Sequence, residues 1–234
     1  MNKLQAHYTA ATSIVDWTKS ESYHNSFLIA KDDVLDFAVK NCIDHGLPEI
    51  AVSATQGKLL NLIARSIGAK RILEVGTLGG YSTIWMGRAL PDEGTLISLE
   101  IDETYAKVAR ENLAKAGLED KCKITVGPAG ESMENLHPDV PFDLIFIDAD
   151  KASYPKYFTE AKRLVKKGGV ILVDNVVLFG LVNDLSVTDE DLLHFVLGIR
   201  QLLADIKGDT DVEATTITTV GEGGFDGFMY IVRK

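Results

Sequence analysis

From Arg71 onward the chain alternates short apolar runs with stretches of helical length, and that alternation limits it to one class of fold. Arg71-Ile72-Leu73-Glu74-Val75, Leu96 to Glu100, Cys122 to Val126, Asp143 to Asp148 and Val170 to Asp174 read as strands. Helical spacing fills the gaps: Tyr81 to Leu90, about Glu103 to Ala116 with Gly117 closing it, a short stretch to Leu136, and the stripe Tyr157, Phe158, Ala161, Leu164, Val165. Strands that alternate with helices in this way form a mostly parallel sheet covered on both faces. A helix around Asp189 to Ile206 is followed by two strands, near Val212 to Val220 and Gly227 to Val232, joined through Gly221-Glu222-Gly223-Gly224. Two strands joined by such a turn make a hairpin, so one of them runs antiparallel to the rest. The expected fold class is α/β: a doubly wound, mostly parallel seven-stranded sheet with a C-terminal antiparallel strand.

Ahead of this core, residues 1–68 read as N-terminal helices. Asp32 to Asp44 carries Val34, Leu35, Ala38, Val39 and Ile43 on one stripe and ends at Gly46 and Pro48. Leu59, Leu60, Ile63 and Ile67 mark the next helix, with Ser53 or Thr55 as its cap. No repeat or Pro/Gly/Ser linker interrupts the 234 residues, so a single domain spanning 1–234 is expected, with 69–234 as the α/β core. Acidic residues outnumber basic ones 34 to 24, and the net charge of −10 argues against nucleic acid as a partner. Two cysteines, Cys42 and Cys122, make neither a zinc cluster nor a disulfide framework. Met1 to His7 lacks the apolar core of a signal peptide and no run reaches the length of a membrane span, so a cytoplasmic protein is expected.

In doubly wound sheets the ligand sits at the carboxyl ends of the strands, where strand order reverses. The first such end is Glu74-Val75-Gly76-Thr77-Leu78-Gly79-Gly80-Tyr81-Ser82, a glycine-rich turn that opens a helix. Leu78 stands where a dinucleotide-binding turn needs its second glycine. Glu100 ends the second strand, where a carboxylate accepts hydrogen bonds from ribose hydroxyls. Glu74 opposes a pyrophosphate and suits a cationic or zwitterionic ligand, so the turn favours S-adenosylmethionine over NAD. A second constellation lies at the next strand ends: Asp148-Ala149-Asp150-Lys151 and Asp174-Asn175. If those strands are neighbours, Asp148, Asp174 and Asn175 converge as oxygen ligands of the kind Mg²⁺ takes. Beside a divalent cation an ammonium gives up its proton more readily, which makes Lys151 a candidate base.

These three segments, E-V-G-T-L-G-G-Y-S, F-I-D-A-D-K (Phe146 to Lys151) and Val173-Asp174-Asn175, resemble the cation-dependent small-molecule O-methyltransferases, a group that includes catechol and caffeoyl-coenzyme A O-methyltransferases. The resemblance runs from about Val52 to the C-terminus and takes in G-F-D-G-F, Gly224 to Phe228. It implies a Rossmann-like methyltransferase fold in which Val52, Gly76 and Ser82 contact the methionine part of the cofactor through their backbones, with Glu74 and Thr77 in the same turn. It further implies that Glu100 binds the ribose, Ile101 packs on the adenine, Ala129 offers its N–H to the base and Asp150 sits near the methionine moiety. Asp148, Asp174 and Asn175 would hold Mg²⁺ or another divalent cation, with Lys151 as base and Asp148 beside it in the catalytic set. The implied reaction methylates one hydroxyl of a vicinal dihydroxyphenyl compound, a small phenolic substrate, in a homodimer. The loop Val176 to Val182 is apolar and lacks a tryptophan and the polar residues of plant caffeoyl-coenzyme A members, which favours a compact catechol over a coenzyme A thioester. Phe179, Tyr154 and the Tyr23 to Phe27 segment are its candidate walls, and Glu222 is the nearest match to a substrate-orienting glutamate.

Overall fold

The computed structural model describes residues 12–234; Met1 to His7, read above for a leader, lie outside them. Among the described residues three helices come first: α1 (Ile14–Leu28), α2 (Asp33–Asp44) and α3 (Ala54–Ser66). Each starts where a short polar side chain takes up free N–H groups of the first turn. Ser13 and Asp16 form a reciprocal capping box on α1, and Asp32 accepts from Val34 and Leu35 on α2. Of the two candidate caps of α3, Ser53 is the one used, accepting from the Gln56 N–H, while Thr55 donates to Asn25 on α1.

The core then runs β1 (Arg71–Val75), α4 (Tyr81–Gly87), β2 (Thr95–Glu100), α5 (Glu103–Lys115), β3 (Cys122–Val126), α6 (Ala129–Asn135), β4 (Phe142–Ile147), α7 (Tyr154–Leu164), β5 (Val165–Val173), α8 (Glu190–Lys207), β6 (Val212–Gly221) and β7 (Gly224–Arg233). Sheet order is β3-β2-β1-β4-β5-β7-β6, with β1 to β5 parallel and β7 antiparallel to both its neighbours. Alternate residues of each central strand enter different layers. Ile72, Leu144, Phe146 and Leu172 pack under α2 to α5, while Leu73, Ile145, Ile147 and Ile171 pack under α6 to α8. Burial on both faces is why these strands read as continuous apolar runs.

Several boundaries differ from the sequence reading, and the helix expected to reach Leu90 ends at Gly87. The helix expected to run through Val165 stops at Leu164, and β5 begins at Val165, which pairs with Phe142 before the register shifts. Lys166-Lys167-Gly168-Gly169 then forms an irregular stretch inside the strand, with Gly168 at φ +74°. The last hairpin is tighter than expected: Gly221 pairs with Gly224, leaving Glu222-Gly223 as a two-residue turn. Among the described residues, no helix is long and apolar enough to cross a membrane.

Candidate active site

Strand order reverses between β1 and β4, so the loops leaving those strands open a crevice at their carboxyl ends. The ends are tied in register: Gly76 N–H donates to Leu99 O (2.9 Å), Asp148 N–H to Val75 O (2.8 Å) and Asp174 N–H to Ile147 O (2.9 Å). Gly76 has φ +99°, and a Cβ there would collide with the Asp148 carbonyl oxygen. The glycine thus brings the turn after β1 into backbone contact with the loop after β4.

The turn is braced from beneath by two carboxylates. Glu100 Oε2 accepts from the N–H groups of Leu78 (2.8 Å) and Thr77 (3.2 Å), and Oε1 from Asp102 (3.0 Å). Glu74 is fully buried and receives the hydroxyls of Ser82 (2.5 Å), Thr83 (2.5 Å) and Ser98 (2.6 Å). Burial raises its pKa to about 7 even though those donors favour the charged form. Gly80 starts α4 in a left-handed conformation with no side-chain cap, so its first N–H groups stay uncapped by a side chain at the crevice.

At the other side, Lys151 Nζ lies 3.2 Å from Asp148 Oδ1 and 5.9 Å from the centre of the Tyr154 ring. Helix α8 seats closely on this turn because Gly198 meets the Lys151 carbonyl, where any side chain would clash. Asp174 is buried, and the Gln56 Nε2 group spans both its oxygens at 2.8 Å. The Asn175 N–H adds a third donor at 2.9 Å. Burial first, and then the charge of Asp148, push the Asp174 carboxyl far above the usual carboxylate range. Asn175 follows at φ +53°, with its Nδ2 donating to Asp226 at 3.1 Å.

The glycine turn, Glu100 and the Asp148 to Lys151 and Asp174-Asn175 segments face one cleft of about 1660 Å³. Its lining includes Val52, Gly76, Thr77, Ser82, Glu100, Ile101 and Ala129 on one side, and Asp148, Asp150, Lys151, Asp174 and Asn175 on the other. Ile101 is 72% exposed, an apolar side chain open to the cleft. Glu74 does not line it; its carboxylate holds the glycine turn from below. Among the candidate walls only Phe179 lines the cleft. Tyr154 is fully buried, donating its hydroxyl to the Asp174 carbonyl (2.8 Å), and so corrects the sequence reading. Tyr23 and Phe27 are exposed on α1, and Cys42 is half-buried at the cleft beside Gly79. Sequence reasoning gave no role to Gln56 or Asp226, whose signals were a polar residue in the first turn of an apolar helix and the aspartate of G-F-D-G-F.

The donor set fits a hard divalent cation. Two carboxylates repel one another in a buried setting, the Asn175 side chain lines the same cleft, and among the described residues Lys151 is the one cation that touches the set. Among the described residues no three or more His, Cys, Asp or Glu side chains are grouped so as to hold a metal ion, so a cation at Asp148 and Asp174 would need a further ligand of another type, such as the Asn175 amide.

The profile of the O-methyltransferase family matches residues 23–234. A catechol O-methyltransferase of Niastella koreensis is 42% identical over 216 residues, covering 92% of this chain and 96% of that one. A catechol O-methyltransferase of Mycobacterium tuberculosis is 41% identical over 91% of this chain and 94% of its own. Among solved structures, an O-methyltransferase from Bacillus cereus in complex with SAH superposes with a TM-score of 0.91 at 42% identity, covering 95% of this chain and all of that one. Fold, crevice and kinship agree, and the chain belongs to the O-methyltransferase family.

Proposed function

We propose that this enzyme methylates one hydroxyl of a vicinal dihydroxyphenyl compound, with S-adenosylmethionine as donor and Mg²⁺ or another divalent cation held by Asp148, Asp174 and Asn175. The observation that carries the reading is that the braced glycine turn and the Asp148, Lys151, Asp174, Asn175 set line one cleft. S-adenosylmethionine supplies an electrophilic methyl group on a sulfonium. The cation supplies Lewis acidity and a template for two adjacent oxygens. The chain's own residues do the rest. Glu100 keeps the turn in place and offers its remaining acceptor capacity to ribose, while Ile101 gives the adenine an apolar face. Asp150 adds negative charge near the sulfonium end. Lys151 Nζ, held beside Asp148, accepts the proton of the attacking hydroxyl.

A compact, uncharged catechol suits the cleft better than a coenzyme A thioester. Among the described residues the only basic side chains in its lining are Lys151 and Lys156, against Glu21, Glu49, Glu131 and Glu222 at the same cleft. Polyphosphate in that setting meets repulsion. Two relatives named for catechol support the same choice. We further propose that the enzyme works in the cytoplasm as a homodimer.

The test is methyl transfer to catechol, caffeic acid and caffeoyl-coenzyme A, each with Mg²⁺ and with excess EDTA. Turnover of catechol that EDTA abolishes is expected. Turnover indifferent to EDTA would reduce Asp148, Asp174 and Asn175 to structural roles, and preference for the thioester would overturn the substrate class.

A further inference from the structure

The Asp226 side chain, on β7, is engaged at both of its oxygens. Oδ1 accepts the backbone N–H groups of Leu178 (2.8 Å), Gly227 (2.8 Å) and Val177 (3.3 Å). Oδ2 accepts the Asn175 side-chain N–H at 3.1 Å. The segment it holds is an unusual one: Asn175, Leu178 and Phe179 all have positive φ, at 53°, 49° and 56°. L residues adopt that region at a cost, so such a run persists only where the surroundings impose it.

A side-chain amide has a donor end and an acceptor end, and only its oxygen ligates a hard cation. A carboxylate is acceptor-only. Against Asp226, an Asn175 amide turned the other way would set oxygen against oxygen, so the partner dictates which end points outward. We propose that Asp226 is a positioning residue for the cation site: it takes the NH₂ end of Asn175 and thereby presents the Asn175 Oδ1 to the side where Asp148 and Asp174 stand. The assignment rests on the cation reading given above.

The test is the affinity for Mn²⁺ alone, read from the electron paramagnetic resonance of the free ion, with no methyl donor or phenol present. Asp226→Asn keeps the shape but brings its own NH₂ group, which donates to the Asn175 oxygen and turns the amide round. Mn²⁺ affinity is expected to fall about 10- to 100-fold, the usual loss when a group that orients a metal ligand is removed. The swap Asn175→Asp with Asp226→Asn keeps the net charge, places the donor at 226 and an oxygen ligand at 175, and is expected to return the affinity to near that of the unaltered enzyme. Unchanged affinity in Asp226→Asn overturns the proposal. So does a loss that the swap does not repair, because the loop or the charge would then be the cause. Should Asp226→Asn fail to fold, the swapped protein decides alone: binding supports the proposal and absence of binding overturns it. An unaltered enzyme that binds no Mn²⁺ brings down the cation reading itself, an outcome distinct from failure of the variants.

Discussion

Glu74 shows how a single buried acid sets a pH dependence. Its folded pKa of about 7 lies above the ordinary 4.5, and burial is the largest cause. Between those values the unfolded chain has lost a proton that the native state keeps, so stability is full below about pH 4.5 and falls as pH rises toward 7. At about 1.4 kcal/mol per unit the decline is roughly 3 kcal/mol. Glu74→Gln cannot ionise, and urea midpoints measured across this window are expected to fall less steeply than for the unaltered protein. Equal slopes would mean that Glu74 ionises in the fold as freely as in water. The same residue marks a limit of the sequence. Its place two residues before Gly76 made it look like a ligand contact, but the side chain packs into the layer with Ser98 and the start of α4, under the turn. Glu100, Asp148, Lys151, Asp174 and Asn175 were legible because strand ends bring their first residues to the same edge. Gln56 was not, because its partner Asp174 lies 118 residues away and only the folded sheet brings them together.

At the level of elements, the contact between the loops after β1 and β4 depends on a bare Cα. Gly76→Ala places a methyl group on the Asp148 carbonyl at a backbone angle alanine resists. The cost is expected to be about 2–4 kcal/mol by chemical denaturation, with methyl transfer reduced further than stability alone explains, since the two halves of the cleft are pushed apart. A variant as stable and active as the unaltered enzyme would show that the strand ends yield easily. The central parallel strands β1 and β4 and the later part of β5 could be read in advance because both their faces are covered, which leaves an apolar run in the sequence. The start of β5 could not: Lys166, Lys167 and a glycine pair lie inside it and mimic a loop. Helix α1 also gave little signal, as none of its 15 residues is buried. Its docking is polar, through Glu21 to the Glu222 N–H (2.9 Å) and the Ser53 hydroxyl (3.2 Å), and through Asn25 to Thr55 (3.0 Å).

For the whole molecule, that exposed helix leads to a statement about assembly. Tyr23, Phe27 and Leu28 on α1 are 66%, 73% and 69% exposed, alongside Ile217 and Val220 on the edge strand β6. Apolar side chains gathered at one margin of a chain with a net charge of −10 are expected to be covered by a second copy. Light scattering on the eluting protein should give twice the chain mass of 25.5 kDa, and a monomer across the micromolar range would refute the homodimer. Sheet order carries a consequence of another kind, for a chain still on the ribosome. β6 touches the sheet only through β7, which enters between it and β5. Asp226, on that strand, is made 51 residues after the Asn175 it holds. Until β7 is inserted, the nascent chain has its acids and its lysine at the sheet edge but lacks the carboxylate that holds the Asn175 amide and the loop after it, so this part of the site is set late in synthesis.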